Sequence, residues 1–385
     1  MKIGIEAQRI FRKKKHGMDI VALELIRQLK DIDHENEYFI FAQSDEDDNI
    51  LESSKNFQII KTTNAPYPVW EQWVLPAQVR KHKIDLLHCT SNTAPLRISI
   101  PLVLTLHDII YLEKVNLRQG TWYQRLGNLY RRWNVPRAVK IASKIITVSD
   151  FENRRINDFF DLHDNSVQTV YNGVGSHFRR ITDKDRLDQM RKKYSLPEEF
   201  VFFLGNTDPK KNVNGVLSAY RELIKSRADI PLVMPDIDRD YLSGIAAQTG
   251  SSDVLDRIIF TGYIPNEELP AIYSMAKIFL YPSLRESFGI PIVEAMACGT
   301  PVITSNTSSM PEVAGDAAVL IDPSDAHSIA SSIHQLWNDD LRRSDLSEKG
   351  KQRSTFFSWG KNAEHTLQLY HDVLKPDKNK RKKLT

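Results

Sequence analysis

Cysteine is nearly absent from this 385-residue chain, which has only Cys89 and Cys298. The two stand far apart in apolar surroundings, which argues against a disulfide framework and for buried thiols in a reducing compartment. Long hydrophobic runs are missing as well. One of the longest mostly apolar stretches, residues 98–106, falls well short of the roughly 18 residues that a membrane span needs. No signal-peptide pattern opens the chain, since Met1-Lys2-Ile3-Gly4-Ile5-Glu6 reads directly as a strand. No single sign of charge dominates either. A net charge of +3 is only mildly basic and gives no reason to expect nucleic acid as a partner. No Gly-x-Gly-x-x-Gly follows any apolar run, so the feature that would support a nicotinamide oxidoreductase is lacking. What remains is a cytoplasmic chain, 41% hydrophobic, long enough for two or three ordinary cores.

Short apolar runs alternate with helix-period stretches throughout. One series comprises residues 2–5, 38–42, 57–60, 84–88, 102–106, 145–148 and 167–171; a second comprises 200–204, 231–234, 258–260, 278–281, 302–304 and 318–321. Residues 18–32 are the clearest helix, with Ile20, Val21, Leu25, Ile26 and Leu29 on one stripe. Buried strands alternating with helices imply parallel sheets covered on both faces. Two series imply two doubly wound domains, with the polar stretch 176–199 between them. The expected division is 1–175, 176–360, a C-terminal helix over 361–374 and a basic tail over 375–385. Open parallel sheets bind ligands beyond the carboxyl ends of their strands, which for two domains points to the cleft between them.

Residues 279–323 are the most informative. A strand ends at Tyr281-Pro282-Ser283, a loop follows, and a helix is expected to open at Pro291, a residue pre-set for the first helical position. Glu286 falls on the loop and Glu294 in the first helical turn, with Phe288-Gly289-Ile290 between them. Gly289 lets the backbone approach a ligand, and the helix aims its N-terminal amides at the same place. Amides for an anion and two carboxylates for hydroxyls suit a phosphorylated sugar.

These residues carry a resemblance when taken with Gly17, Leu106-His107-Asp108, Ile146-Thr147-Val148-Ser149, Val170-Tyr171-Asn172-Gly173-Val174, Leu204-Gly205-Asn206 and Asp208-Pro209-Lys210-Lys211-Asn212. Over nearly its full length the chain resembles the GT-B-fold retaining glycosyltransferases of family 4, the group 1 enzymes, in their bacterial mannosyltransferase-like branch. The resemblance implies an α/β protein of two Rossmann-like domains facing across a cleft, with the C-terminal helix crossing back to the first. It also implies a nucleoside-diphosphate sugar as donor, with no further cofactor and no metal.

By the same resemblance His107, Lys211 and Glu286 are the catalytic candidates. Lys211 would neutralise charge growing on the leaving diphosphate, Glu286 would meet the donor sugar or its phosphate side, and His107 would contact the sugar's far hydroxyl or its reacting face. Gly17, Asn206, Lys210, Tyr263, Phe288, Gly289, Ile290 and Glu294 would bind the donor, with Glu294 on the ribose hydroxyls and the base near Thr261-Gly262-Tyr263-Ile264. Asn206 departs from the family's frequent arginine, leaving Lys210 or the first domain to supply the missing charge. The loop Arg12-Lys13-Lys14-Lys15-His16 before Gly17 suits an anionic acceptor. Asp236-Ile237-Asp238 resembles the metal-binding motif of the other major glycosyltransferase fold, but reads better as a polar loop after a strand.

The expected acceptor is a glycan or a polyprenyl-diphosphate-linked sugar. Residues 118–144 mix Trp122, Tyr123, Tyr130 and Trp133 with Arg125, Arg131, Arg132, Arg137 and Lys140, and the tail is strongly basic. Both suit an anionic membrane surface. A non-catalytic sugar-nucleotide-binding protein is the alternative from another class.

Overall fold

The computed structural model describes residues 1–13, 15, 17–47, 49–62, 65–113, 122–162, 166–226 and 229–375, with only the backbone at 122–125 and 249. Lys14, His16, Arg118, the tail beyond Lys375 and the side chains of Trp122, Tyr123 and Arg125 therefore lie outside the described residues. The chain divides into two compact units, Met1–Asn172 with Trp359–Thr385, and Gly173–Ser358.

The first unit holds a seven-stranded sheet of β1 (Lys2–Glu6), β2 (Glu37–Gln43), β3 (Phe57–Thr62), β4 (Leu86–Cys89), β5 (Leu102–Thr105), β6 (Lys144–Thr147) and β7 (Val167–Thr169), ordered β3-β2-β1-β4-β5-β6-β7. Every pairing is parallel. Ile3 and Ile5 of β1 are fully buried with Leu25, Ile26 and Leu29 of the helix Gly17–Ile32. Ala363, Leu369 and Tyr370 of the C-terminal helix Trp359–Leu374 join the same cluster. That helix is anchored at both ends: Asn362 Nδ2 donates to the Tyr171 carbonyl at 2.8 Å, and Tyr370 Oη lies 2.6 Å from His88 Nδ1. The opposite face of the sheet is covered by a second cluster containing Leu75, Val79, Val135 and Ala138.

The second unit holds six parallel strands, β8 (Val201–Phe203), β9 (Leu232–Pro235), β10 (Ile258–Gly262), β11 (Ile278–Tyr281), β12 (Val302–Ser305) and β13 (Ala318–Ile321), in the order β10-β9-β8-β11-β12-β13. All four residues of β9, β11 and β12 are buried. Strands covered on both faces have no polar side to show, so they read as unbroken apolar runs. The expected pair of doubly wound parallel sheets is present, each strand overlapping its apolar run.

In both sheets the strand order reverses once, between β1 and β4 and between β8 and β11. There the connections leave in opposite directions, and a crevice opens beyond the carboxyl ends of the two central strands.

Candidate active site

Within the second unit, Lys211 follows β8 and Glu286 follows β11, so adjacent strands deliver both to the reversal crevice. Lys211 Nζ lies 2.6 Å from Glu286 Oε1 and 2.7 Å from Tyr281 Oη, and 4.9 Å from the centre of the Tyr281 ring. The lysine therefore does not project freely: its charge is matched by Glu286 inside the unit. The turn carrying it is fixed by Asn212 at φ +61°, a left-handed conformation that asparagine tolerates. Asn212 Nδ2 donates to the carbonyls of Pro282 at 3.0 Å and Pro323 at 2.7 Å, and its Oδ1 accepts the Gly215 N–H. One side chain thus ties the loops after β8, β11 and β13 together. Glu286 is held in turn by a serine pair. Ser308 Oγ accepts its N–H at 3.1 Å, and Ser309 Oγ donates to its carbonyl at 2.9 Å and to that of Phe288 at 3.1 Å.

The helix Ile290–Ala297 opens one residue earlier than expected, with Gly289 as its N-cap at φ +96°. A Cβ there would meet Ile292 Cδ1 at 3.1 Å, so the glycine is needed both for conformation and for space. Phe288, expected among the donor-binding residues, turns its side chain into the core. The ring is 3% exposed and packs edge-on against Phe357 at 5.4 Å, leaving only its backbone beside the helix start. Ile290 gives the first helical amide. Glu294, the fifth helical residue, lies past the first turn where it was expected, and its carboxyl accepts from Tyr273 Oη at 3.2 Å. Burial raises that carboxyl to about 7, against the opposing hydrogen bond from Tyr273.

A pocket of about 330 Å³ brings Asn206, Lys211, Asp236, Tyr263, Tyr281 and Pro291 together. Gly205 also lines it, and a Cβ there would fall 2.4 Å from the Phe203 ring. Asn206 Oδ1 accepts the Asp208 N–H at 2.9 Å, which closes the turn leading to Lys211. Lys210 Nζ is 3.7 Å from Asp208 and its carbonyl accepts the Leu284 N–H at 2.7 Å. Tyr263 is 61% exposed at the pocket's edge, after β10. Asp238 caps the helix Arg239–Thr249 by accepting the Asp240 N–H at 2.7 Å, and Ile237 is core, as a polar loop after a strand requires. A helix N-terminus, a lysine and a carboxylate around one pocket can hold a phosphorylated, hydroxyl-rich ligand.

In the first unit His107 lies two residues beyond β5 and is 5% exposed. Its Nε2 is 2.9 Å from the Thr90 carbonyl, which can only accept, so Nε2 carries the proton and Nδ1 keeps its lone pair. Burial lowers its pKa and keeps the ring neutral, against the opposing pull of the Thr90 bond and of Asp108 and Asp19. Asp108 Oδ1 accepts the Ile110 N–H at 3.2 Å. Gly17 is the first residue of its helix rather than a loop residue before it, and nothing lies within 4 Å of where its Cβ would stand. No close backbone approach within the unit therefore demands glycine there. Two cations of the preceding loop are matched by carboxylates, Lys15 to Asp47 at 2.5 Å and Lys13 to Glu46 at 3.8 Å.

Two family models cover most of the chain. The one described as glycosyl transferases group 1 matches residues 186–353, and the one described as glycosyltransferase family 4 matches residues 16–177. The chain belongs to the group 1 glycosyltransferases of family 4. It is 29% identical over 320 residues to the O-antigen chain mannosyltransferase B of Escherichia coli, covering 81% of this chain and 80% of the relative. It is also 29% identical over 237 residues to the serotype-specific mannosyltransferase WbdA of the same organism, 60% of this chain but 29% of that one. The crystal structure of Anabaena HepE in complex with UDP-glucose superposes with a TM-score of 0.75 at 18% identity, over 97% of this chain and all of that one. The fold is that of the GT-B glycosyltransferases.

For a group 1 glycosyltransferase, Tyr281, Asn212, Ser308 and Ser309 are the residues that sequence reasoning left out as actors. Asparagine directly after the lysine pair was the available signal for Asn212, because Asn tolerates a left-handed turn and caps a helix well. The serines lie more than twenty residues from the glutamate they hold, and no local pattern joins them.

Proposed function

We propose that this glycosyltransferase moves a hexose, with mannose from GDP-mannose as first candidate, to a lipid-linked or surface polysaccharide acceptor. Transfer retains configuration and uses no metal. The observation that carries the reading is the Lys211–Glu286 pair in the reversal crevice, next to the N-terminus of the helix Ile290–Ala297. A diphosphate in the pocket gives Lys211 a second anionic partner, and that interaction strengthens as charge grows on the leaving group, which is how an electrostatic contact accelerates a reaction. Glu286 and the backbone of Gly289 and Ile290 then face the sugar and its phosphate, Glu294 accepts from the ribose hydroxyls, and Tyr263 borders the base. The acceptor hydroxyl attacks from the leaving group's side, assisted by the departing phosphate. Neutral His107, with its Nδ1 lone pair, orients sugar hydroxyls.

The names of the E. coli relatives support mannose and an O-antigen-type product. No helix among the described residues is long and apolar enough to cross a membrane, so a polyprenyl-diphosphate-linked acceptor would be met by surface docking on the cytoplasmic face. The test is thermal stabilisation by GDP, UDP, dTDP and their sugars, with and without magnesium and chelator, followed by turnover. Selective stabilisation by GDP and GDP-mannose that chelator leaves unchanged is the expected result. A response to UDP or dTDP sugars keeps the enzyme class and changes the donor. No response at all makes a non-catalytic role the better account.

A further inference from the structure

The helical stretch 67–82 of the first unit contains one π-helical turn, Trp70–Val74. Such turns recur at functional sites. This one places Glu71 entirely out of solvent. Thr93 Oγ1 donates to its carboxyl at 2.5 Å, Tyr67 Oη at 2.8 Å and Gln72 Nε2 at 3.0 Å, and Tyr130 Oη and Asn134 Nδ2 complete the shell. A buried carboxyl with five donors is costly to assemble, and well-packed apolar side chains could hold the same helices together.

Its location gives the arrangement a purpose. Thr93 closes the segment Thr90-Ser91-Asn92-Thr93 directly after β4, at the strand-order reversal of this unit's sheet. The same segment holds His107 twice: the Thr90 carbonyl accepts from Nε2 at 2.9 Å, and Asn92 Oδ1 accepts the His107 N–H at 2.7 Å. Glu6, at the end of β1, fixes the segment's start by accepting from Thr90 N at 3.3 Å, and its carbonyl accepts from Thr90 Oγ1 at 2.7 Å. The segment is therefore held at its start by Glu6 and at its end by Glu71, and between them it sets the tautomer of His107.

We propose that Glu71 is a positioning residue for sugar transfer, holding through Thr93 the segment 90–93 that fixes His107 with its proton on Nε2 and its Nδ1 lone pair available. This rests on the role given to His107 above. Glu71 itself touches no substrate.

The test uses the full chain with Thr93→Val, which removes only the hydroxyl and leaves Glu71 its other four donors, alongside Glu71→Gln and Thr93→Ser. Tautomer and protonation of His107 are read by nitrogen-15 NMR of labelled histidines, assigned with His107→Gln. Turnover is read with GDP-mannose. The expected result is loss of the single Nε2–H tautomer in Thr93→Val and Glu71→Gln, with kcat falling about 10- to 100-fold, as misplacement of a group by about 1 Å can produce. KM for the donor and stabilisation by GDP stay near wild type, and Thr93→Ser recovers tautomer and kcat. A purely structural Glu71 lowers the thermal midpoint and leaves the His107 tautomer of the folded protein intact, which overturns the proposal. If the wild-type chain turns over no donor, the functional reading fails on its own, and the NMR result still decides whether Glu71 positions His107.

Discussion

Lys211 and Glu286, 75 residues apart in sequence, meet at 2.6 Å in a pair whose side chains are 15% and 11% exposed. A pair this enclosed is a poor source of net stability, because two charges have been taken from water to make it. Its position beyond β8 and β11 accounts for it better: the lysine is held on Tyr281 and Glu286, ready for an anion, without having to be ordered when one arrives. In the proposed reaction this would preorganise the cation for the charge on the leaving group.

This arrangement predicts a separation of stability from activity. Lys211→Met leaves the Glu286 carboxylate enclosed without its cation, which costs about 3 kcal/mol and lowers the thermal midpoint by roughly 5–10 °C. Adding Glu286→Gln removes the stranded charge and restores most of that loss. Turnover does not return, and both variants stay about 10²- to 10³-fold below wild type. Scanning fluorimetry and donor turnover on the two single variants and the double check this. A double variant as unstable as Lys211→Met alone would show that the carboxylate is not what destabilises it.

Glu294 and Glu71 are both raised to about 7 by burial, from an ordinary carboxyl value of 4.5. A folded-state pKa above the unfolded one means that the folded protein binds more protons in this window. The two groups therefore contribute stability that is fully present below about pH 4.5 and is lost as pH rises towards and through about 7. Denaturant midpoints of the unliganded protein should decline over that interval, less steeply in Glu294→Gln. Nucleoside diphosphate binding should strengthen over the same interval, as Glu294 becomes a carboxylate able to accept from two hydroxyls. A Glu294→Gln profile superimposable on wild type would remove Glu294 as the source of the decline.

Most of the architecture was open to reading because parallel strands buried on both faces have no alternation to confuse. Residues 278–281 are all apolar and all buried in β11, and the other twelve strands each overlap a short apolar run. Lys211, Glu286 and Gly289 were legible because each follows such a run within a distinctive pattern. Other features had no local signature. The role of Thr90 at His107 runs through a backbone carbonyl, which any residue carries. Glu71 is buried within a π turn, and prolines at 68 and 76 obscure the helical period on either side. The packing of the Phe288 ring against Phe357 joins residues nearly seventy apart. Tyr130, read from the sequence only as one of a group of aromatics, also gives its hydroxyl to Glu71.

Gly289→Ala is a sharp probe of the helix start. A φ of +96° is unfavourable for any residue with a Cβ, and the new methyl would press on Ile292 Cδ1 at 3.1 Å. Relief of both requires the turn to rotate, which redirects the Ile290 amide. The expected cost is about 1–3 kcal/mol of stability, together with weaker stabilisation by GDP and GDP-mannose. Ala substitution at Gly17, where nothing lies within 4 Å, is the contrasting case and should leave stability within about 0.5 kcal/mol of wild type. Thermal midpoints of the two variants, with and without nucleotide, decide the matter.

The outward side of the helix Trp122–Ile141 carries Leu129 at 59% and Trp133 at 44% exposure, and the neighbouring π turn carries Trp73 at 66%. The two elements lie side by side, since Gln72 Nε2 donates to Tyr130 Oη at 2.8 Å. Arg137 lies over the Trp133 ring, 5.1 Å from its centre, so cationic and apolar groups share this surface as an interface with anionic lipid requires. The full chain should float with vesicles containing phosphatidylglycerol at about 0.15 M salt, where exposed charges more than about 8 Å apart are largely screened, and less well with neutral vesicles. Trp73→Ser combined with Trp133→Ser should reduce flotation while preserving stabilisation by GDP. Removal of the residues beyond Lys375 separates the tail's electrostatic share: binding that survives truncation and fails in the double variant assigns docking to this face. Failure of the intact chain to float with anionic vesicles at that salt would leave the exposed tryptophans without a lipid partner and return the acceptor question to soluble glycans.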